Sequence, residues 1–315
     1  FVQAYPHRSL RELRHLVAPW YLQKAIRKTD GDIWHADNID AFSALQWSGR
    51  GQGQKKIVTI HDTIPLRFAP GRWWEQKAYH YHLKQAASRA DLVVTVSETS
   101  REDLTEMAGI PAHKIKVVYN GLNHKMLYPQ PGKKRQERLL IRYIGGLGAV
   151  HKNASALIET ARVLKESKFD FRMEIGGGHA EATELPGLVA RYGLQRQVTF
   201  AGFVPDKKLQ QFLAGADVFL FPSLYEGFGF PPLEAMACGT AVVAANVASL
   251  AELLTTSALL TPPEPEAFAA AIIKLGTCES RRQQAITEGL RHSTLFRWDV
   301  TAKKMLAIYR EEAGN

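Results

Sequence analysis

The sequence predicts an α/β protein made of two parallel-sheet units, and three observations carry that expectation. Short apolar runs recur along the chain, separated by stretches of helical composition, the alternation that produces β-α-β crossovers. The chain has 315 residues, long enough for two domains of ordinary size. Residues 130–138, Gln-Pro-Gly-Lys-Lys-Arg-Gln-Glu-Arg, are polar and broken by Pro-Gly, as interdomain linkers are. Charge changes in the same region: residues 1–135 carry 21 Lys+Arg against 12 Asp+Glu, whereas 136–315 carry 19 of each.

Each element has its local reason. In the first half, 57–60 (Ile-Val-Thr-Ile), 92–96 (Leu-Val-Val-Thr-Val) and 115–118 (Ile-Lys-Val-Val) read as strands, rich in the β-branched residues that doubly covered parallel strands use. Helical composition fills 75–89 and 100–108. In the second half, 139–144, 171–175, 198–200, 218–221, 241–244 and 258–260 read as strands, with helices over 154–165, 182–192 and 206–214. A last helix covers 299–312. The second half holds a full doubly wound set; the first holds fewer strands.

Composition narrows the function. No run of eighteen apolar residues exists, so no membrane-spanning helix is expected. Cys238 and Cys278 are too few for a disulfide framework and fit a reducing cytoplasm. No Asp-x-Asp pair follows a strand and no histidines share a helix face at ligand spacing, so neither a metal nor another cofactor is expected. The basic first half suits an anionic lipid surface or a phosphorylated acceptor; no nucleic-acid motif accompanies the charge. Within it, Arg8, Arg11, Arg14, Lys24, Arg27 and Lys28 alternate with Leu10, Leu13, Leu16, Val17, Trp20 and Tyr21. Two readings stand: an ordinary surface helix, or a segment in peripheral contact with the inner face of an anionic membrane.

The chemistry concentrates at 221–243, Phe-Pro-Ser-Leu-Tyr-Glu-Gly-Phe-Gly-Phe-Pro-Pro-Leu-Glu-Ala-Met-Ala-Cys-Gly-Thr-Ala-Val-Val. A buried strand runs into a glycine turn, Pro231 and Pro232 pre-set the first helical turn, and Gly239 stops the helix before the next strand. Glu226 therefore sits in a loop at the carboxyl end of a parallel strand, and Glu234 on the short helix beyond it, where open α/β sheets bind ligands. The N–H groups of Gly227, Phe228 and Gly229, with Phe230 beside them, suit the oxygens of an anionic ligand. Residues 143–153 repeat the pattern with strand, glycine loop (Gly146) and a cationic His151-Lys152 pair at a helix start, a place for phosphate. In the first half, the strand at 57–60 ends in His61-Asp62, and His35 lies in a similar segment, 32–37. Ser97 reads either as a helix cap or as a cleft residue, and Asn120 either as part of a glycine turn or as a cleft residue.

Glu226 and Glu234, with seven residues between them inside Glu-Gly-Phe-Gly-Phe-Pro-Pro-Leu-Glu-Ala-Met-Ala-Cys-Gly-Thr, make this segment resemble the signature of the retaining nucleotide-sugar glycosyltransferases of family 4. The resemblance extends more weakly from Asp32 to the C-terminus. It implies a GT-B fold, two Rossmann-like doubly wound domains facing a cleft: 1–130 on the acceptor side, 131–138 as linker, 139–296 binding the nucleotide sugar, and 297–315 crossing back to the first domain. Family members open with a strand and a glycine-rich loop that nothing before Ile57 supplies, which implies an incomplete first domain. The resemblance also implies roles. Glu234 would hold the ribose hydroxyls, Glu226 would lie by the sugar, and Lys152 would neutralise the leaving diphosphate. His61 would stand near sugar and phosphate, His35, Asp62, Ser97 and Asn120 along the cleft, and Gly202 and Phe203 beside the base. One departure stands out: the family's phosphate-binding Arg has no counterpart, its neighbours here being Gly146 and His151. The expected activity is retaining transfer of a hexose, from GDP-mannose before a UDP-sugar, to a glycan or lipid-linked acceptor, as in bacterial polysaccharide mannosyltransferases. The alternatives are a sugar-nucleotide epimerase of the same fold and a non-catalytic sugar-nucleotide-binding module.

Overall fold

The computed structural model describes residues 31–48, 53–68, 73–130, 132 and 137–314. The basic segment 8–28 lies outside the described residues. The chain divides into two units, one running from Asn120 to Trp298, the other holding the residues up to Tyr119 together with Asp299 onward.

The first unit contains β1 (Ile33–Ala36), α1 (Ile39–Ser48), β2 (Lys55–Thr59), α2 (Ile64–Arg67), α3 (Trp73–Arg89), β3 (Leu92–Thr95), α4 (Glu98–Ala108) and β4 (Ile115–Val117). Its strands form a parallel sheet in the order β1-β2-β3-β4. Both faces are covered, which is why these strands read as continuous apolar runs. Val58, Ile60 and Val93 pack against Phe42, Leu83 and Leu104 from the helices on one side. On the other, Ile57, Leu92, Val94 and Val118 meet Ile308 from the far end of the chain.

The second unit continues with β5 (Leu139–Ile144), α5 (Ser155–Glu166), β6 (Phe171–Gly176), α6 (Leu185–Arg191), β7 (Val198–Gly202), α7 (Asp206–Ala214), β8 (Val218–Phe221), α8 (Phe230–Ala237), β9 (Ala241–Ala245), α9 (Ala248–Leu254), β10 (Leu259–Thr261), α10 (Pro265–Thr277) and α11 (Glu279–Ser293). The parallel sheet has the order β10-β9-β8-β5-β6-β7. The chain winds outward from β5 to β7, then returns to the other side of β5 and winds away. Between β5 and β8 the order reverses, and that switch point is where such sheets open a crevice at their carboxyl ends. β8 and β9 are buried at every position.

The final helix, α12 (Trp298–Ala313), closes the first unit: Ile308 enters its core, and Lys55 and Lys116 pair with Glu312 and Glu311 at 3.1 and 3.4 Å. The boundary between units falls ahead of 131–138 because residues just after Asn120 are tied into the second unit. Leu122 bridges Arg297, and its N–H donates to the Phe296 carbonyl at 3.1 Å.

Candidate active site

The loops leaving β5 and β8 flank the switch point, and hydrogen bonds join them. The His151 carbonyl accepts from the Leu224 N–H at 2.7 Å and from Ser223 Oγ at 2.9 Å, while Asn153 Nδ2 donates to the Pro222 carbonyl at 3.2 Å. Val150–Lys152 is a single 3-10 turn, which aims the lysine side chain across to the β8 loop. Lys152 Nζ meets both carboxylate oxygens of Glu226, Oε1 at 2.7 Å and Oε2 at 3.0 Å. Ser223 Oγ also lies 2.7 Å from Oε1. The Glu226 carbonyl accepts from Ser249 Oγ at 2.7 Å. The carboxylate is buried; the lysine keeps a fifth of its side chain exposed. Two residues 74 positions apart thus form an ion pair at the edge of a buried region, where little solvent screens it.

Glu234 behaves differently. It lies on α8, half-buried, and no side-chain hydrogen bond or ion pair engages it among the described residues. Burial, with the charge of Asp206 at the start of α7 adding to it, pushes its carboxyl up to about 7. Cys238, one turn further along, is pushed up to about 12 by burial and by Glu234. When ionised, Glu234 is an acceptor with no side-chain donor among the described residues.

The turn between the two acids is shaped by Gly229, whose φ of +87° suits glycine and whose absent Cβ leaves room for Leu250, 2.7 Å from where it would stand. Phe228 turns inward: its ring packs on Phe230 and Phe296, so only its backbone faces the loop side. Gly227 is buried beside it. Across the switch point, Gly146 is exposed, with no atom within 4 Å of a Cβ built there. His151 is buried, its ring in the fold and its carbonyl in the loop-to-loop contact. Gly202 ends β7 and precedes Phe203, which is 76% exposed.

In the first unit, His61 is exposed at the end of β2, with Nε2 3.2 Å from the Asp37 carbonyl. The other candidates there have local duties. Asp62 caps a turn, its Oδ1 accepting from the Ile64 N–H at 2.9 Å. Ser97 is the fully buried N-cap of α4, accepting from the Ser100 N–H at 3.1 Å. His35 has Nδ1 2.6 Å from the Tyr309 hydroxyl on α12 and Nε2 2.8 Å from Thr59 Oγ1 on β2, so its ring links the helix to the sheet. Asn120 is half-buried at the start of the second unit.

Three contributors escaped the sequence reading. Ser223 and Ser249 anchor Glu226 at its carboxylate and its carbonyl, and an isolated serine carries no signal of that. Gly177 is a different case: a Cβ there would stand 2.5 Å from the Gly145 carbonyl, so it lets the β5 and β6 loops touch. Three consecutive glycines, Gly176 to Gly178, directly after a strand were the available signal.

Comparison with known proteins defines the class. Residues 126–292 match the family model of the glycosyl transferases group 1, and residues 1–125 that of Glycosyltransferase Family 4. The chain belongs to this glycosyltransferase family, and its two parallel-sheet units are those of the GT-B fold. It is similar to O-antigen chain mannosyltransferase B of Escherichia coli, 28% identical over 96% of this chain and 80% of that protein. It is 30% identical to O-antigen chain mannosyltransferase RfbU of Salmonella typhimurium over 68% of this chain and 58% of that one. Among solved structures it resembles sucrose-phosphate synthase from Thermosynechococcus elongatus, with a TM-score of 0.80 at 24% identity over 96% of this chain and 79% of that one. Anabaena HepE in complex with UDP and glucose superposes with a TM-score of 0.78 at 22% identity, over 98% and 85% of the two chains.

Proposed function

We propose that the chain moves a hexose, mannose before glucose, from a nucleoside diphosphate sugar to a glycan or lipid-linked acceptor, with retention at the anomeric carbon and without a metal. The observation that carries the reading is the Lys152–Glu226 pair at the switch point, with Glu234 on the helix that follows. Glu234 accepts hydrogen bonds from the ribose hydroxyls. Lys152 turns from Glu226 to the diphosphate, and the N–H groups of Gly227, Phe228 and Gly229 assist it. Glu226, with Lys152 drawn away, accepts from hydroxyls of the sugar. The departing phosphate takes the acceptor proton.

Two mannosyltransferases among the relatives favour GDP-mannose; the UDP complex of HepE makes a UDP-hexose the second choice. The test is a thermal-shift screen against GDP-mannose and UDP-glucose, followed by nucleotide release with and without a mannose-terminated glycan, in EDTA. Proton NMR of the product reads the anomer. A stabilised protein and acceptor-dependent release are expected; no shift with either sugar nucleotide and no turnover overturns the reading. The excess charge of the first half makes peripheral contact with an anionic membrane part of the proposal, tested by sedimentation with anionic against zwitterionic vesicles.

A further inference from the structure

The Ser223 hydroxyl has one proton and three acceptors within reach: Glu226 Oε1 at 2.7 Å, the His151 carbonyl at 2.9 Å and the Tyr225 carbonyl at 3.2 Å. A hydroxyl donates once, and an ionised carboxylate outcompetes a carbonyl for its proton. Among the described residues, the groups that donate to the Glu226 carboxylate are Lys152 and Ser223. Lys152 is the mobile one, since its side chain is the more exposed and ends in a flexible ammonium. Ser223 is fully buried. Its Oγ also lies 2.9 Å from the carbonyl of His151, the residue preceding Lys152, an alternative acceptor for the same proton.

We propose that Ser223 is the positioning residue of the sugar-transfer site: it holds the Glu226 carboxylate in place once Lys152 has moved to the diphosphate. This rests on the reading of the site above. With the ammonium gone, Ser223 is the protein donor that remains, among the described residues, to hold a buried carboxylate facing the sugar hydroxyls; without it the side chain is free to swing out of line. Ser249 is the internal control, because it fixes the same residue through the backbone carbonyl and leaves the carboxylate alone.

The experiment compares Ser223→Ala, Ser249→Ala and Glu226→Gln in the full chain, with GDP-mannose or UDP-glucose as sugar donor, whichever is turned over. Affinity for the bare nucleoside diphosphate monitors folding. Ser223→Ala should lower kcat about ten- to hundredfold with nucleotide affinity unchanged. In the Glu226→Gln background the same substitution should cost little further, because the two act as one unit. Ser249→Ala should keep its full effect in the Glu226→Gln background, because it acts through the backbone carbonyl. Ser223→Cys, with a weaker hydrogen-bond donor of similar size, should fall between Ser and Ala. If Glu226→Gln lowers transfer while Ser223→Ala leaves kcat as in the parent, or if the two effects simply add, Ser223 has no positioning role. Transfer unaffected by Glu226→Gln would instead overturn the underlying reading of the site.

Discussion

Replacing Glu234 by Gln separates what this residue does for the fold from what it does for a ligand. The folded protein holds the carboxyl at about 7, against an ordinary 4.5, because it is buried and faces Asp206. A pKa raised on folding means the native state binds the proton more tightly, so the contribution is fully present below pH 4.5 and is lost as pH climbs through 7. At pH above 8 the native state carries this buried charge at a cost of about 3 kcal/mol, part of which solvent at the exposed edge screens. Glutamine keeps the shape without the charge. Glu234→Gln is therefore expected to raise Tm by about 2–6 °C at alkaline pH and to leave it unchanged near pH 5.

Ligand binding should respond in the opposite direction. A carboxylate accepting from two ribose hydroxyls makes charge-assisted bonds, and their loss should weaken affinity for a sugar nucleotide about tenfold to hundredfold. In the parent, affinity should fall about tenfold per pH unit below 7, since the proton must first leave; in the variant it should stay flat. Calorimetric titration with GDP-mannose is the assay, because its diphosphate does not itself titrate in this range. A more stable variant that binds as tightly as the parent, or parent affinity independent of pH from 5.5 to 8, would refute the ribose assignment.

Lys152→Met leaves the buried Glu226 carboxylate without its ion partner, and should lower stability by about 3 kcal/mol as well as abolish transfer. Adding Glu226→Gln should restore Tm but not turnover, as melting curves and nucleotide release will report. Gly146→Arg puts the absent cation back: a Cβ there meets no atom within 4 Å, and affinity for the nucleoside diphosphate should tighten about tenfold. Unchanged affinity would show that the phosphates lie elsewhere. In the first unit, burial lowers the pKa of His35, so its contribution is present above 6.5 and is lost as pH falls through the lowered value. Acid destabilisation between pH 7 and 5 should shrink in His35→Gln, measured by thermal melting.

The elements flanking the site were legible because their signals are local. A four-residue apolar run, a glycine-proline turn and a terminal glycine identify β8, its loop and α8 without reference to anything distant. β1 was harder. Its four residues include a histidine and expose three positions in part, and it becomes a strand by pairing with β2. Helices α10 and α11 went unassigned. The first, Pro-Glu-Ala-Phe-Ala-Ala-Ala-Ile-Ile-Lys-Leu-Gly-Thr, is apolar nearly all round, and the second is mostly polar; neither presents a sharp stripe. The fate of His35 is decided by Tyr309, 274 residues later, and that of Ser223 by a carbonyl 72 residues earlier. Residue type indicated that both could hydrogen-bond; the fold decided with what.

Charge balance at the switch point explains why the proposed site should be sensitive to a single added cation. Without a ligand, Lys152 and Glu226 neutralise each other across 2.7 Å, and the loop presents little net field. A nucleoside diphosphate sugar brings about two negative charges, and recruiting Lys152 offsets one while uncovering the carboxylate. The positive pole of α8 supplies about half a charge, and the remainder must come from oriented N–H groups and solvent cations. Binding is then an exchange of anions around one ammonium, with little new charge interaction gained. Two consequences distinguish this from a preformed cationic pocket: affinity should depend only weakly on ionic strength in the parent chain, and steeply in Gly146→Arg, where the added guanidinium has no internal partner to leave. A parent as salt-sensitive as that variant would mean that Lys152 stands free of Glu226 in solution, and the exchange would have to be abandoned.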